Sequence, residues 1–213
     1  MLCEYLFFTK FSYKFIKIVY NKYTKSIVNL GDNMKFINFF KHLHTVNKHR
    51  FCVFIHACKV GIFWQGLVHD LSKYHPTEFF VGVKYFQGTR SPNDAEREEK
   101  GLSTAWIHHK GRNRHHFEYW NDYNPKTKRV EPVKMPLVFV KEMFCDRVAA
   151  SKIYQGENYT DSYPYEYFKR GKATRVIHQE TSDLLEEWLL MLKESGEEKT
   201  LRHIKECLKK GSY

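Results

Sequence analysis

With 213 residues, 42% of them hydrophobic and 28% charged, the chain is long enough to bury a real core and too apolar for a disordered polymer. Its net charge of +11 points to an anionic partner: a small phosphorylated compound, nucleic acid or a membrane surface. The five cysteines are scattered and lack CxxC spacing, which argues against a disulfide scaffold and fits a reducing cytoplasm.

Residues 1–33 differ from the rest. They open on an apolar run, Met1 to Phe8, but lysines interrupt every later one, so no stretch reaches the roughly 18 to 20 apolar residues of a membrane span. A secretory signal would need a basic start, a clean apolar run and a small-residue cleavage site, and that order is absent. Two readings remain: a basic, aromatic amphipathic helix lying on a membrane, or a mis-called leader. The second is favoured because Gly31-Asp32, just before Met34, can be encoded as a purine-rich ribosome-binding sequence, so that translation would begin at Met34.

From Met34 the pattern is helical nearly throughout. Phe36, Phe39, Phe40, Leu43 and Val46, then Phe51, Phe54, Ile55 and Cys58, recur at three- and four-residue steps. Gly61 breaks the run, and a helix over 62–72 carries His69-Asp70. His75-Pro76-Thr77-Glu78 supplies a stop and a restart, with proline near the first helical position, leading into a short helix over 78–86.

Residues 88–101 read as a polar connection opening with Ser91-Pro92-Asn93-Asp94. Helix returns over 103–109, 110–114 is a turn, and 121–133 is an exposed loop with Pro125 and Pro132. Pro136 opens a helix through 152, and 154–171 is aromatic and loop-rich. Two amphipathic helices, 174–194 and 197–210, are joined by Ser195-Gly196. With no strand signal, repeat or low-complexity tract, the fold class is all-α: residues 34–213 form one helical bundle, with the chemistry within about 42–152 and two amphipathic helices at its C-terminal end.

The chain is organised around Gly66 to Lys73. A His-Asp pair at the end of an apolar helix is costly to bury uncompensated, and a divalent ion compensates by taking both groups as ligands. Other ligand types stand nearby: His49 upstream, the pairs His108-His109 and His115-His116, and Asp146 in an apolar setting downstream. Neighbours on a helix diverge by about 100°, so His69 and Asp70 would flank an ion close to the helix, and the carboxylate could bridge two.

His42 or His44 is an alternative to His49 as the first ligand. Which member of each later histidine pair faces the site stays open, because a turn separates them from any periodicity. Imidazoles suit Zn, Fe, Ni and Cu, and two ions about 3.5 to 4 Å apart can clamp the attacking and leaving oxygens of a phosphoryl displacement. Arg112 and Arg114 on the turn would hold phosphate oxygens by bidentate hydrogen bonds. Lys73 and Arg147, close behind ligand positions, would neutralise developing charge.

The remaining residues have plainer readings. His56, His75, His178 and His203 are read as surface or helix-facing residues without partners. Cys52, Cys58 and Cys145 are read as core, as are Trp64, Trp106, Phe117, Tyr119 and Trp120, although Tyr119 or Trp120 could border a base-binding pocket. Glu118 and Glu142 are either orienting partners of ligand histidines or salt-bridge residues.

The order His49, His69-Asp70, the histidines from His108 to His116, then Asp146 resembles the HD-domain superfamily of metal-dependent phosphohydrolases. His69-Asp70-Leu71-Ser72-Lys73 looks like the His-Asp-Ile-Gly-Lys element of its cyclic-dinucleotide phosphodiesterases. A finer resemblance is to a bacterial family without an assigned function. Its members share Trp-x-Gly-Leu-x-His-Asp-Leu-Ser-Lys, Ala-Trp-x-His-His and Glu-Met-x-x-Asp-Arg, here Trp64 to Lys73, Ala105 to His109 and Glu142 to Arg147.

The superfamily resemblance implies that His49, His69, Asp70 and Asp146 bind a first ion. It implies one or two divalent ions (Fe, Mn, Zn or Ni) and hydrolysis of a small phosphorylated substrate, most fittingly a nucleotide, by metal-activated water. Two other readings stand beside it: a di-iron oxygenase of the HD type, and a basic, metal-stabilised module that binds nucleic acid without catalysis.

Overall fold

The computed structural model describes residues 33–207; the leader expected over 1–33, apart from Asn33, and the last turn expected to reach 210 lie outside the described residues. Two compact units are distinguished, Met1–Phe39 and Phe40–Tyr213. Of the first, only the opening of helix α1 (Asn33–Lys59) is described. The second holds the rest of α1 and all that follows.

The all-α class is what the second unit displays. Beyond α1 come α2 (Phe63–Val68), α3 (Pro76–Lys84), α4 (Pro92–Lys100), α5 (Thr104–Lys110), α6 (Leu137–Gln155), α7 (Tyr163–Arg170), α8 (Gln179–Ser195) and α9 (Glu197–Glu206). Among the described residues no helix is long and apolar enough to cross a membrane.

Helix α6 is the centre of the bundle. Val140 to Cys145, Val148 and Ala149 are all buried, so most of its circumference is covered rather than one stripe. Around it pack Val53 and Ala57 of α1, Phe168 of α7, Leu185, Trp188, Leu189 and Leu192 of α8, and Leu201 and Ile204 of α9. The indole of Trp188 meets the Phe144 ring edge-on at 6.1 Å.

Four expectations need correction. The helix expected over 62–72 stops at Val68: His69 and Asp70 form a break, and Leu71–Tyr74 is a 3-10 turn. The apolar pattern continues through the break, but Arg50 of α1 holds it open. Arg50 donates from Nε to the His69 carbonyl (2.7 Å) and from Nη2 to the Leu67 carbonyl (3.1 Å). These are carbonyls that a helix end leaves without partners.

The connection expected over 88–101 contains α4. Its start and stop were written locally: the Ser91 hydroxyl accepts from the Asn93 amide, Pro92 stands in the first turn, and Gly101 takes the left-handed conformation at the end (φ 76°). The loop expected over 121–133 is an antiparallel hairpin, β1 (Asn121–Asn124) on β2 (Arg129–Pro132), with Tyr123 opposite Val130. The loop-rich stretch 154–171 contains α7, with Pro164 in its first turn.

Four side chains expected to be simple also differ. Trp64 is 72% exposed rather than core, and Tyr119 and Cys58 are exposed too. His56 is buried and partnered, with Nε2 3.3 Å from Glu197. Gly66 is explained by packing: a Cβ there would stand 2.5 Å from the Ala57 Cβ, so α2 approaches α1 this closely only with glycine.

Candidate metal centre

The break after α2 is what makes the His-Asp pair converge. Asp70 lies in the left-handed region (φ 54°, ψ 28°), which aspartate tolerates better than most residues. On a continuous helix the two side chains would diverge; across this break both turn inward and are almost fully buried, at 1% and 0% exposure. Strain of about 1–3 kcal/mol in a backbone held this way is typical of functional sites.

Asp70 then divides two sets of ligand atoms. Its Oδ2 lies 3.5 Å from His49 Nε2 and 3.2 Å from His69 Nε2. Asp146 Oδ1 closes that set at 3.0 Å from His49 Nε2 and 3.6 Å from His69 Nε2, and the two histidine nitrogens are 3.4 Å apart. Two ligands each about 2.1 Å from one ion lie about 3.0 Å apart at right angles and about 3.4 Å apart at the tetrahedral angle. The observed spacings fall around that range, so the four atoms fit one ion.

On its other side, Oδ1 of Asp70 lies 3.3 Å from His109 Nε2 and 3.4 Å from His115 Nε2. His116 completes this second group, its ring centroid 4.1 Å from that of His115 and 4.7 Å from that of His109. Asp70 Oδ1 and the Nε2 atoms of His115 and His116 are buried without a hydrogen bond. Buried polar atoms seldom go unsatisfied, and a cation shared by these donors would account for all three.

The opposite ring nitrogens are held by carboxylates. Glu142 Oε1 lies 2.9 Å from His69 Nδ1 and 3.0 Å from His115 Nδ1. Glu78 Oε2 lies 2.7 Å from His109 Nδ1, which also meets Ser72 Oγ at 3.2 Å. A proton on each Nδ1, donated to these oxygens, leaves the Nε2 lone pairs directed at the centre. Glu142 and Asp146 are one turn apart on α6, so one face of one helix supplies both an orienting group and a ligand.

The electrostatics describe a pocket dense in opposed charges. Burial opposes ionisation of Asp70 and Asp146. For Asp70 the charges of His69 and Lys73, and for Asp146 the hydrogen bonds of His49 and His69, still hold the carboxyls well below the ordinary range. Burial would also lower the His69 pKa, but the Asp70 charge and hydrogen bonds to Asp146, Asp70 and Glu142 raise it well above normal. His116 goes the other way: burial, then the charges of His115 and His109, keep its imidazole neutral, as a ligand must be. Lys73 Nζ sits 2.5 Å from Asp70 Oδ2 and balances part of the acidic charge.

Not every expected residue joins the centre. His108 turns away: its Nδ1 lies 2.6 Å from Glu78 Oε1, and its ring stacks on His75 at 4.5 Å. His75 therefore has a partner, and its Nδ1 also accepts from the Thr77 amide at the start of α3. His44 is exposed. His42 packs against Phe79 and Phe86, and burial followed by the charge of Lys73 pushes its pKa down to about 4. His49 is thus the α1 histidine that converges.

A cleft of about 530 Å³ opens on the centre, with His49, His109, His116 and Asp146 in its wall beside Lys73 and Arg147. Arg112 and Arg114 do not line it. Arg112 is exposed and donates to the His108 carbonyl, and Arg114 lies over the Tyr119 and Phe139 rings.

Four supporting residues escaped the sequence reading: Glu78, Ser72, Asn113 and the Arg50 clamp. Asn113 was legible in part, because it stands four residues after His109 and donates to that residue's carbonyl and to Ser72 Oγ. No curated protein and no solved structure matches the chain. A family of unknown function (DUF5662) matches residues 38–191, a span that contains every residue of both ligand sets, and the chain belongs to that family.

Proposed function

We propose that the protein is a metal-dependent hydrolase of the HD-domain type, acting on a small phosphorylated substrate such as a nucleotide or phosphomonoester. One observation carries the reading: Asp70 separates two complete sets of ligand atoms at the wall of a cleft that also presents Lys73 and Arg147. His49, His69, Asp70 and Asp146 would hold one divalent ion and Asp70, His109, His115 and His116 a second, and such ions would supply acidified water and offset developing negative charge.

The chain's own residues do the rest. Asp70 holds the two positions at a fixed separation, and Glu142 and Glu78 keep the histidine rings aimed. Lys73, paired with Asp70, meets the phosphoryl oxygens as their charge grows, and Arg147 stands further along the same cleft wall. Trp106 and Phe117 in the cleft wall reduce access of bulk water. The excess of basic residues raises the local concentration of an anionic substrate.

The histidine-rich second set also suits di-iron oxygen chemistry, because three imidazoles accompany only one carboxylate there. Elemental analysis of the full chain beside Asp70→Ala separates the outcomes. Up to two equivalents of Fe, Mn, Zn or Ni in the parent, lost in the variant, together with phosphate release from model phosphomonoesters, is the expected result. Oxygen consumption without phosphate release would favour the second reading. A parent purified and reconstituted without retaining any ion would overturn both.

A further inference from the structure

Next to the metal centre the cleft carries a second feature, a pair of arginines. Arg147, one residue past Asp146 on α6, and Arg175, beyond α7, both line the cleft and both approach the buried ring of Phe168. Their guanidinium carbons lie 6.0 and 4.6 Å from that ring's centroid. Two like charges are thereby gathered at one place, an arrangement that costs free energy unless something opposes it.

No carboxylate in the described residues forms an ion pair with either. Asp146 and then Glu118 act on Arg147 through their charge, and Glu118 acts on Arg175, yet Oε2 of Glu118 is buried without a hydrogen bond, and so is Nε of Arg147. Arg175 is held in place by backbone: Nη1 donates to the Phe168 carbonyl at 2.8 Å and Nη2 reaches the Tyr167 carbonyl at 3.5 Å. Helix α7 thus ends on a cation, a favourable placement, and the donors not used there remain for a ligand. Burial, and then the charge of Arg147, lowers the Arg175 pKa to about 10, which is still charged at neutral pH.

We propose that Arg147 and Arg175 form an anion subsite that receives a second phosphate or carboxylate of a substrate whose scissile phosphate lies at the histidine–aspartate centre. The assignment rests on the phosphohydrolase reading for the first phosphate, while the subsite itself rests on the arginine pair. A cleft of about 530 Å³ is larger than one phosphate needs and falls within the usual range for a whole small molecule. The substrate class that follows is a doubly anionic phosphorylated compound, either a bisphosphate or a phosphorylated acid.

The test measures binding of adenosine 5′-monophosphate, adenosine 3′,5′-bisphosphate and phosphonoacetate by calorimetry, with the full chain. Parent, Arg175→Gln, Arg175→Lys and Asp70→Ala proteins are compared. The parent should bind at least one doubly anionic probe about tenfold or more tightly than the monophosphate, and Arg175→Gln should lose that preference. Preference for the bisphosphate marks a second phosphate; preference for phosphonoacetate marks a carboxylate.

Arg175→Lys should keep part of the preference, because charge survives without the planar fork. Metal content of Arg175→Gln should match the parent's, and any fall in melting temperature from the lost carbonyl contacts should be shared by Arg175→Lys, whose retained preference separates a ligand role from a purely structural one. If Asp70→Ala loses its ions and Arg175 still governs anion binding, the subsite holds independently of the metal reading. No preference in the parent, or an unchanged preference in Arg175→Gln, overturns the subsite even where metal and phosphatase activity are found.

Discussion

His69 and His115 share one hydrogen-bond acceptor: Oε1 of Glu142 stands within 3.0 Å of the Nδ1 atom of each. Their rings are 4.4 Å apart, yet they belong to different ligand sets, one on each side of Asp70. The orientation of both sets is therefore tied to a single carboxylate oxygen.

Replacing that carboxylate should weaken both positions together. In Glu142→Gln a single carbonyl can still accept from both rings, but without the negative charge that strengthens both hydrogen bonds, and in Glu142→Ala both rings lose their acceptor. Metal affinity should fall about 10- to 100-fold at each position, the usual effect of removing an orienting partner. Competitive titration with a metal-sensitive dye reads this directly. Loss at one position only would show that Glu142 does not serve both.

Arg50 should matter more for the fold than its place on a long helix suggests. Arg50→Leu leaves the Leu67 and His69 carbonyls without their donor, and Nη1 no longer reaches Tyr74 Oη. Each unsatisfied buried carbonyl costs about 1–3 kcal/mol, so thermal unfolding should drop by several degrees and metal retention should fall with it. Arg50→Lys should not restore either property, since one ammonium cannot match the fork. A melting temperature equal to the parent's would show that the helix break holds itself.

Lys141 gives a pH dependence of known sign. Its side chain is fully buried in α6, its Nζ donates to the Ile204 carbonyl, and burial lowers its pKa from 10.5 to about 8. Between those values the unfolded chain binds a proton that the folded chain does not, so stability rises with pH across the window; below pH 8 the penalty is fully present. Lys141→Met should therefore be more stable than the parent at pH 7 by about 1–2 kcal/mol, after allowing for the lost hydrogen bond. The advantage should vanish or reverse by pH 10. Urea denaturation at the two pH values checks this, and a gap that stays constant would rule it out.

The ligands were legible to different degrees, for physical reasons. His49, His69, Asp70 and Asp146 could be named because residue type and apolar surroundings already restrict what a buried imidazole or carboxylate can do. The choice between His108 and His109 could not be made, because their local sequence is equivalent. What separates them is geometry: the His109 ring also meets Ser72 Oγ and its carbonyl accepts from Asn113, while His108 stacks on His75.

The break at Asp70 was hidden by Leu67, Val68 and Leu71, which extend the apolar pattern straight through it. The donor that opens it lies on another helix. Helix α4 was missed for the opposite reason: between a clear start at Ser91 and a clear stop at Gly101 it has almost no apolar repeat, with Ala95 alone among its polar residues. The hairpin has strands of only four residues, with Tyr123 and Val130 exposed, too short and too wet to register as alternation.

The two ligand sets draw on four stretches far apart along the chain: α1, the break after α2, α5 with the turn that follows it, and α6. An ion seated among them cross-links the polypeptide as a covalent staple would, closing long loops whose entropy the unfolded chain must surrender. It also binds only where those stretches have already met, so its binding free energy becomes folding free energy. Resistance to unfolding should then follow the free ion concentration logarithmically. With an ion bound there, the lifetime of the protein would gauge metal supply.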